Sequence, residues 1–142
     1  MKPFTHALSA ALLSVAALAT ALPVLAQDTP RTAMVAIYHI APGKQLEFLK
    51  WMAAREGVDK EAGVAATQWY AHLDGDSWDY VAVAPDLDDA TSDKIDAMVR
   101  KRGLTAGPKA GLEFRTMISS HTDTLVAGPY TASELVDRSS RP

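Results

Sequence analysis

The chain has 142 residues, a formal net charge of −3, and neither cysteine nor asparagine. Its 48% hydrophobic and 22% charged content suits one globular domain and excludes disordered, collagen-like and coiled-coil classes. The missing cysteines exclude a disulfide framework, a thiolate nucleophile and every Cys-ligated metal site. A mildly acidic balance with no basic run argues against nucleic-acid and anionic-membrane partners.

Lys2 precedes an apolar stretch from Ala7 to Ala21. Pro23 then breaks it, and Val24-Leu25-Ala26 offers small or medium residues before Gln27. A charged start, a short apolar middle and a small-residue exit describe a secretory signal peptide over 1–26, cut between Ala26 and Gln27. The stretch is marginal as a membrane anchor, which needs about 20 apolar residues. The product is expected in the periplasm or outside the cell, with no membrane anchor. Residues 27–32 read as a disordered start.

A β-favouring run, Ala33–Ile40, ends at Pro42-Gly43 and predicts the first strand. Lys44–Ala62 then predicts a helix, with Leu46, Leu49, Trp51 or Met52, and Ala53 inward. Glu47, Lys50, Arg55, Glu56, Asp59 and Lys60 form its expected outer face, and Gly63 its stop. Ala66–Leu73 and Trp78–Ala84 read as two strands of a hairpin across Asp74-Gly75-Asp76-Ser77. The acidic run Asp86–Asp89 opens a second helix that places Ile95, Met98 and Val99 inward, carries Arg100-Lys101-Arg102 at its negative end, and stops at Gly103. Thr105–Gly111 reads as a loop and Leu112–His121 as the last strand. A domain over 33–130 is followed by a tail, 131–142, where Thr131-Ala132-Ser133-Glu134 matches a capping box for one short helix.

The order β-α-β-β-α-β is the split-βαβ, ferredoxin-like unit, an α+β fold. Its antiparallel four-stranded sheet carries two helices on one face and leaves the other uncovered. Either register leaves large apolar residues there: Tyr38 and Ile40 or Val35 and Ile37, with Trp69 and Leu73 or Tyr70 beside them. Such a patch predicts pairing with a second copy of the chain.

With this order, Pro42-Gly43 entering the first helix and an aromatic hairpin, the chain resembles the dimeric α+β barrel superfamily over about Ala33–Leu125. Members include antibiotic-biosynthesis-type monooxygenases, haem-degrading enzymes, and EthD-like, NIPSNAP-like and stress-responsive barrel proteins. The resemblance implies a homodimer whose sheets close into a barrel, with any ligand between sheet and helices or inside the barrel. It implies no single reaction. The haem-degrading branch is similar in using an Asn–Trp–His set, from which this chain departs in having no asparagine.

Chemistry falls to few residues. His39, His72 and His121 are expected near strand ends, Gln68, Tyr70 and His72 on one face, and Arg115, Met117, Ser119 and His121 on one face. One reading collects His39, Tyr70, His72, Arg115 and His121 into a pocket, with imidazole as general base and Arg115 holding an anionic substrate. The other leaves them as separate strand-end residues. Trp69 and Tyr70 are candidate ligand-binding rings, with packing as their alternative role. No metal-ligand spacing occurs, and Asp74–Asp79 lacks the glycine and distant glutamate of a calcium loop.

The expected function is an exported homodimeric module, without a cofactor, that binds a small apolar or aromatic molecule or simply assembles. The alternatives are a cofactor-independent monooxygenase-like enzyme using a strand histidine, and a haem-binding protein.

Overall fold

The computed structural model describes residues 31–140. The signal-peptide reading over 1–26 lies outside them, as does most of the expected disordered start; Thr32 already belongs to the first strand. The elements are β1 (Thr32–Ile40), α1 (Gln45–Ala62), β2 (Gln68–Ala71), β3 (Tyr80–Pro85), α2 (Asp89–Lys101), α3 (Pro108–Arg115), β4 (Ile118–Ala127) and α4 (Ala132–Ser139).

The four strands form one antiparallel sheet in the order β2-β3-β1-β4. Both connections that carry a helix span a strand, which is the ferredoxin-like arrangement. The β-branched centre of β1 pairs on both sides, Val35 with Val83 and Thr124, Ile37 with Val81 and Thr122. β2 and β3 are shorter than the sequence suggests and are joined by residues 72–79. Asp74 and Asp76 turn that segment by accepting the amides of Gly75 (2.9 Å) and Ser77 (2.6 Å), a local carboxylate-to-backbone bond typical of tight turns.

Strand alternation divides the side chains between two faces. Ala36, Tyr38, Ile40 and Ala82 are buried on the helix side, with Trp69 and Tyr80 packed against them. Val35, Ile37, Val81, Val83 and Tyr70 lie on the opposite face. That settles which of the two registers holds.

α1 is anchored by Phe48, which is fully buried. Its ring sits 5.1 Å from Tyr38, 6.1 Å from Trp69 and 6.0 Å from Tyr80, centroid to centroid, distances at which aromatic pairs attract. Leu46 and Leu49, expected inside, are 64% and 38% exposed. The inward stripe is Phe48, Trp51, Met52 and Val58 instead, because the ring cluster of the sheet captures the largest hydrophobe in the first turns. Gly63 closes α1 in the left-handed conformation (φ 86°), its N–H donating to the Lys60 carbonyl at 3.1 Å.

Asp88 caps α2, accepting the Thr91 amide at 2.7 Å; the Thr91 hydroxyl first and this amide second hold its carboxyl below the usual range. Val99 is buried beneath it. A third helix replaces the expected loop and the first part of the expected last strand. Gly107, at φ 61°, turns the chain into Pro108 at the first helical position, where a fixed φ and a missing N–H cost nothing. Ala110 and Phe114 then point inward one turn apart, and β4 begins only at Ile118. α4 stands where the capping box places it, Thr131 and Glu134 exchanging both reciprocal bonds. All of its residues are exposed.

Deleting the Phe48 ring removes the centre of the aromatic cluster. Phe48→Ala is expected to lower unfolding stability by about 3–5 kcal/mol, and Leu46→Ala by no more than about 0.5 kcal/mol. Urea denaturation of both variants measures the contrast, and equal losses would contradict the inward stripe assigned to α1.

Candidate functional site

Between the helix side of the sheet and helices α1, α2 and α3 lies a cavity of about 400 Å³, within the range of small-molecule sites. Its floor is the sheet, where Met34, Ala36, Ala82 and Ala84 present small or flexible side chains and Tyr38 and Trp69 present rings. Trp51, Met52, Arg55, Glu56 and Asp59 of α1 form one wall. Ile95, Asp96 and Val99 of α2 and Ala110 of α3 form the other. The alanines explain the hollow: the helices rest on the rings at one end of the sheet, and the floor beside them carries three alanines and the flexible Met34.

The polar groups of the wall are mostly committed. Trp69 donates its indole N–H to Glu56 at 2.5 Å. The Arg55 guanidinium lies 3.3 Å over the Trp51 ring, a cation–π contact, and donates to the Thr105 carbonyl at 2.6 Å. Burial pulls the Arg55 pKa down, partly opposed by Glu113. Asp96 is paired with Arg100 at 2.9 Å. Asp59 differs from these: burial first, and the neighbouring Glu56 carboxylate second, push its carboxyl above the usual range.

Tyr38 occupies the cavity's inner end. Its ring lies 5.8 Å from Trp69, 6.1 Å from Phe114 and 6.4 Å from His121. Burial, reinforced by Asp123, pushes its hydroxyl up to about 12.

The histidines do not converge. His121 pairs with Tyr38 in the sheet and shares the helix side, its Nε2 3.3 Å from Asp123 and its ring edge-on to Phe114 at 5.1 Å. His39 follows Tyr38 in β1 and therefore faces the other side, its Nδ1 3.2 Å from the Ser77 carbonyl. His72 stands beyond the end of β2, packed on Trp78 at 5.0 Å. None of the three lines the cavity. Arg115 is exposed at the last residue of α3, so the strand face expected for Arg115, Met117, Ser119 and His121 does not form. Tyr70 is on the uncovered face, 52% exposed, its hydroxyl 3.3 Å from Gln68 Oε1. Of the sequence candidates only Trp69 reaches the cavity.

The residues that do line it, Arg55, Glu56 and Asp59, were placed by the sequence on the outer face of α1. The signal was present. Counting from Phe48 instead of Leu46, steps of three and four residues run through Trp51, Met52, Arg55 and Asp59. The haem reading, which called on a histidine ligand, finds no imidazole among the residues that line this cavity.

No protein-family profile matches the chain, and no curated protein matches it by sequence. Its structural neighbours include dimeric ferredoxin-like proteins. SnoaB, a cofactor-independent oxygenase from Streptomyces nogalater, aligns at 14% identity with a TM-score of 0.50, over 73% of this chain and 98% of its own. A NIPSNAP domain protein from Burkholderia xenovorans aligns at 19% identity and a TM-score of 0.44, over 71% and 96%. A dimeric ferredoxin-like protein from Thermobifida fusca aligns at 11% and 0.47, over 73% and 96%. The likeness to SnoaB, together with the strand order, establishes the fold.

The raised Tyr38 pKa has a direct consequence. A group whose folded pKa exceeds its unfolded value contributes stability that is complete below pH 10 and is lost as pH rises through about 12. Alkaline absorbance titration should show a tyrosine ionising near 12 that disappears in Tyr38→Phe. A difference curve centred near 10 would contradict the buried position of this hydroxyl.

Proposed function

We propose that this protein is an exported homodimer that binds one small, largely apolar or aromatic molecule per subunit, between its sheet and its helices. The observation that carries the reading is the cavity of about 400 Å³ with Tyr38, Trp51 and Trp69 among its walls. Planar rings offer a large contact area at little entropic cost, and the alanine floor leaves room for a flat ligand. Export rests on the sequence of residues 1–26 alone.

The homodimer rests on the uncovered face. Val35, Ile37, Val81 and Val83 form an apolar centre there, each partly exposed. Gln68, Thr122 and Thr124 border it on the edge strands. An apolar core within a polar rim is how protein interfaces are built, and two such sheets packed face to face bury both.

The second reading takes the same cavity as an oxygenase site for a phenolic substrate, with dioxygen as oxidant. Its support is the fold shared with SnoaB, a cofactor-independent oxygenase. Asp59 then replaces the strand histidine as the base, since the cavity contains the carboxylate and no imidazole.

Two measurements test the main reading. The neutral fluorophore N-phenyl-1-naphthylamine should brighten on binding and quench Trp51 and Trp69; Ala84→Phe and Ala106→Phe, which fill the cavity from floor and rim, should abolish this while far-UV circular dichroism stays unchanged. Folded variants that bind like the wild type would refute the site. Separately, light scattering of the exported product should give twice the chain mass, and Val35→Lys should give one chain mass with its circular dichroism intact. A wild-type monomer at micromolar concentration would refute the assembly.

A further inference from the structure

We infer that the ligand of this cavity is a cation-bearing aromatic, a flat ring carrying a protonated amine, with the ring against Tyr38, Trp51 and Trp69 and the amine at Asp59. The inference rests on the proposed binding function and names its ligand class.

Charge balance is the first argument. Glu56, Asp59, Asp96 and Asp123 line the cavity, against Arg55 alone. The four acids are not equivalent. Glu56 accepts the Trp69 indole N–H, Asp96 holds Arg100, and Asp123 faces His121. The Asp59 backbone carbonyl takes the Val64 amide at 2.9 Å, but its carboxylate accepts no hydrogen bond among the described residues. Arg55, the cation one turn away on α1, is turned onto Trp51 and the Thr105 carbonyl. A half-buried carboxylate that no protein group hydrogen-bonds keeps its acceptor positions open to a ligand cation.

The second argument is position. A neighbouring hollow of about 390 Å³ is lined by Gly57, Lys60 and Val64, and shares Glu56, Asp59 and Thr67 with the first. Asp59 therefore stands where the two spaces meet, beyond Trp51 and Met52 along α1. Lys60 lines only the outer hollow, and its side chain is exposed at the rim. The chamber thus has stacking surfaces at one end and an unpartnered negative charge at the other, the two elements by which proteins recognise organic cations. The upward displacement of the Asp59 pKa has the same origin, burial plus Glu56, and an ammonium at that point reverses it.

The test compares three probes of matched size on the exported protein: 2-phenylethylamine, neutral 2-phenylethanol and anionic 3-phenylpropionate, each followed by Trp fluorescence and calorimetry. The amine should bind at least about tenfold more tightly than the alcohol, a difference of about 1.4 kcal/mol, and the carboxylate should not bind measurably. Asp59→Asn should erase the amine's advantage and leave 2-phenylethanol unchanged. Equal binding of amine and alcohol, tighter binding of the carboxylate, or an advantage that survives Asp59→Asn would overturn the cationic assignment and leave the apolar site standing. Failure of all three probes, with N-phenyl-1-naphthylamine also silent, would remove the binding site itself.

Discussion

The structure depends on one contact, the seating of Phe48 among the rings of the sheet. Tyr38, Trp69 and Tyr80 rise from three adjacent strands, and Phe114 closes the cluster from α3. Aromatic side chains of this kind carry the largest burial energies a small domain has. They fix both the direction in which α1 crosses the sheet and its height above it. That height is set by rings at one end, while Ala36, Ala82 and Ala84 occupy the floor beside them. The cavity is therefore a by-product of the same packing that stabilises the fold, a large-residue pillar next to a small-residue floor. Close-packed interiors tolerate few voids, so an open volume kept in this position is the feature on which the proposed binding function rests.

The same pillar decides what the polar residues of α1 do. Once Phe48 faces the sheet, the helical period carries Arg55 and Asp59 inward behind Trp51 and Met52. A helix whose inward stripe changes from hydrophobic to charged along its length produces a chamber with a polarity gradient: rings at the Phe48 end, carboxylates at the Gly63 end. Trp69 binds the two halves together, its ring in the cluster and its indole N–H on Glu56. The pair holds Glu56 in a fixed orientation, and this fixed charge contributes to the displaced pKa of its neighbour Asp59.

Much of the fold was legible because its signals are local. The β-branched run of β1, the Gly63 and Gly103 stops, the acidic start of α2 and the Thr131–Glu134 box each specify an element boundary by short-range chemistry, and the alternation of four strands with two long helices specifies the ferredoxin-like order. What was not legible turned on choices between nearly equal local patterns. Leu46 and Leu49, three residues apart, fit a helical face as well as Phe48 and Met52, four apart, and only the sheet's ring cluster distinguishes them. Leu112–His121 has β-favouring residues throughout, yet Pro108 at the start of a turn and the spacing of Ala110, Phe114 and Met117 draw its first half into α3. The site suffered most. A two-residue error in the inward stripe of α1, Leu46 taken for Phe48, sends Arg55 and Asp59 to solvent, and a helix mistaken for strand gives Arg115 a face it does not have.

The histidines make the same point by parity. A strand has two faces, and adjacent residues never share one. Tyr38 is buried against Phe48, so His39 must lie across the sheet from the cavity, and the Tyr38–His121 pairing puts His121 on the side His39 cannot reach. Within one subunit the three imidazoles therefore do not face a common space. Proton chemistry in the chamber is consequently left to carboxylates and to a phenol whose pKa, near 12, keeps it neutral at physiological pH. A site with carboxylate acceptors, one committed guanidinium and no imidazole is suited to hold a cationic or hydrogen-donating ligand in place. Among those carboxylates Asp59 is the one that burial and Glu56 make more basic, so both proposed uses of the chamber, holding a cation and accepting a proton, converge on it.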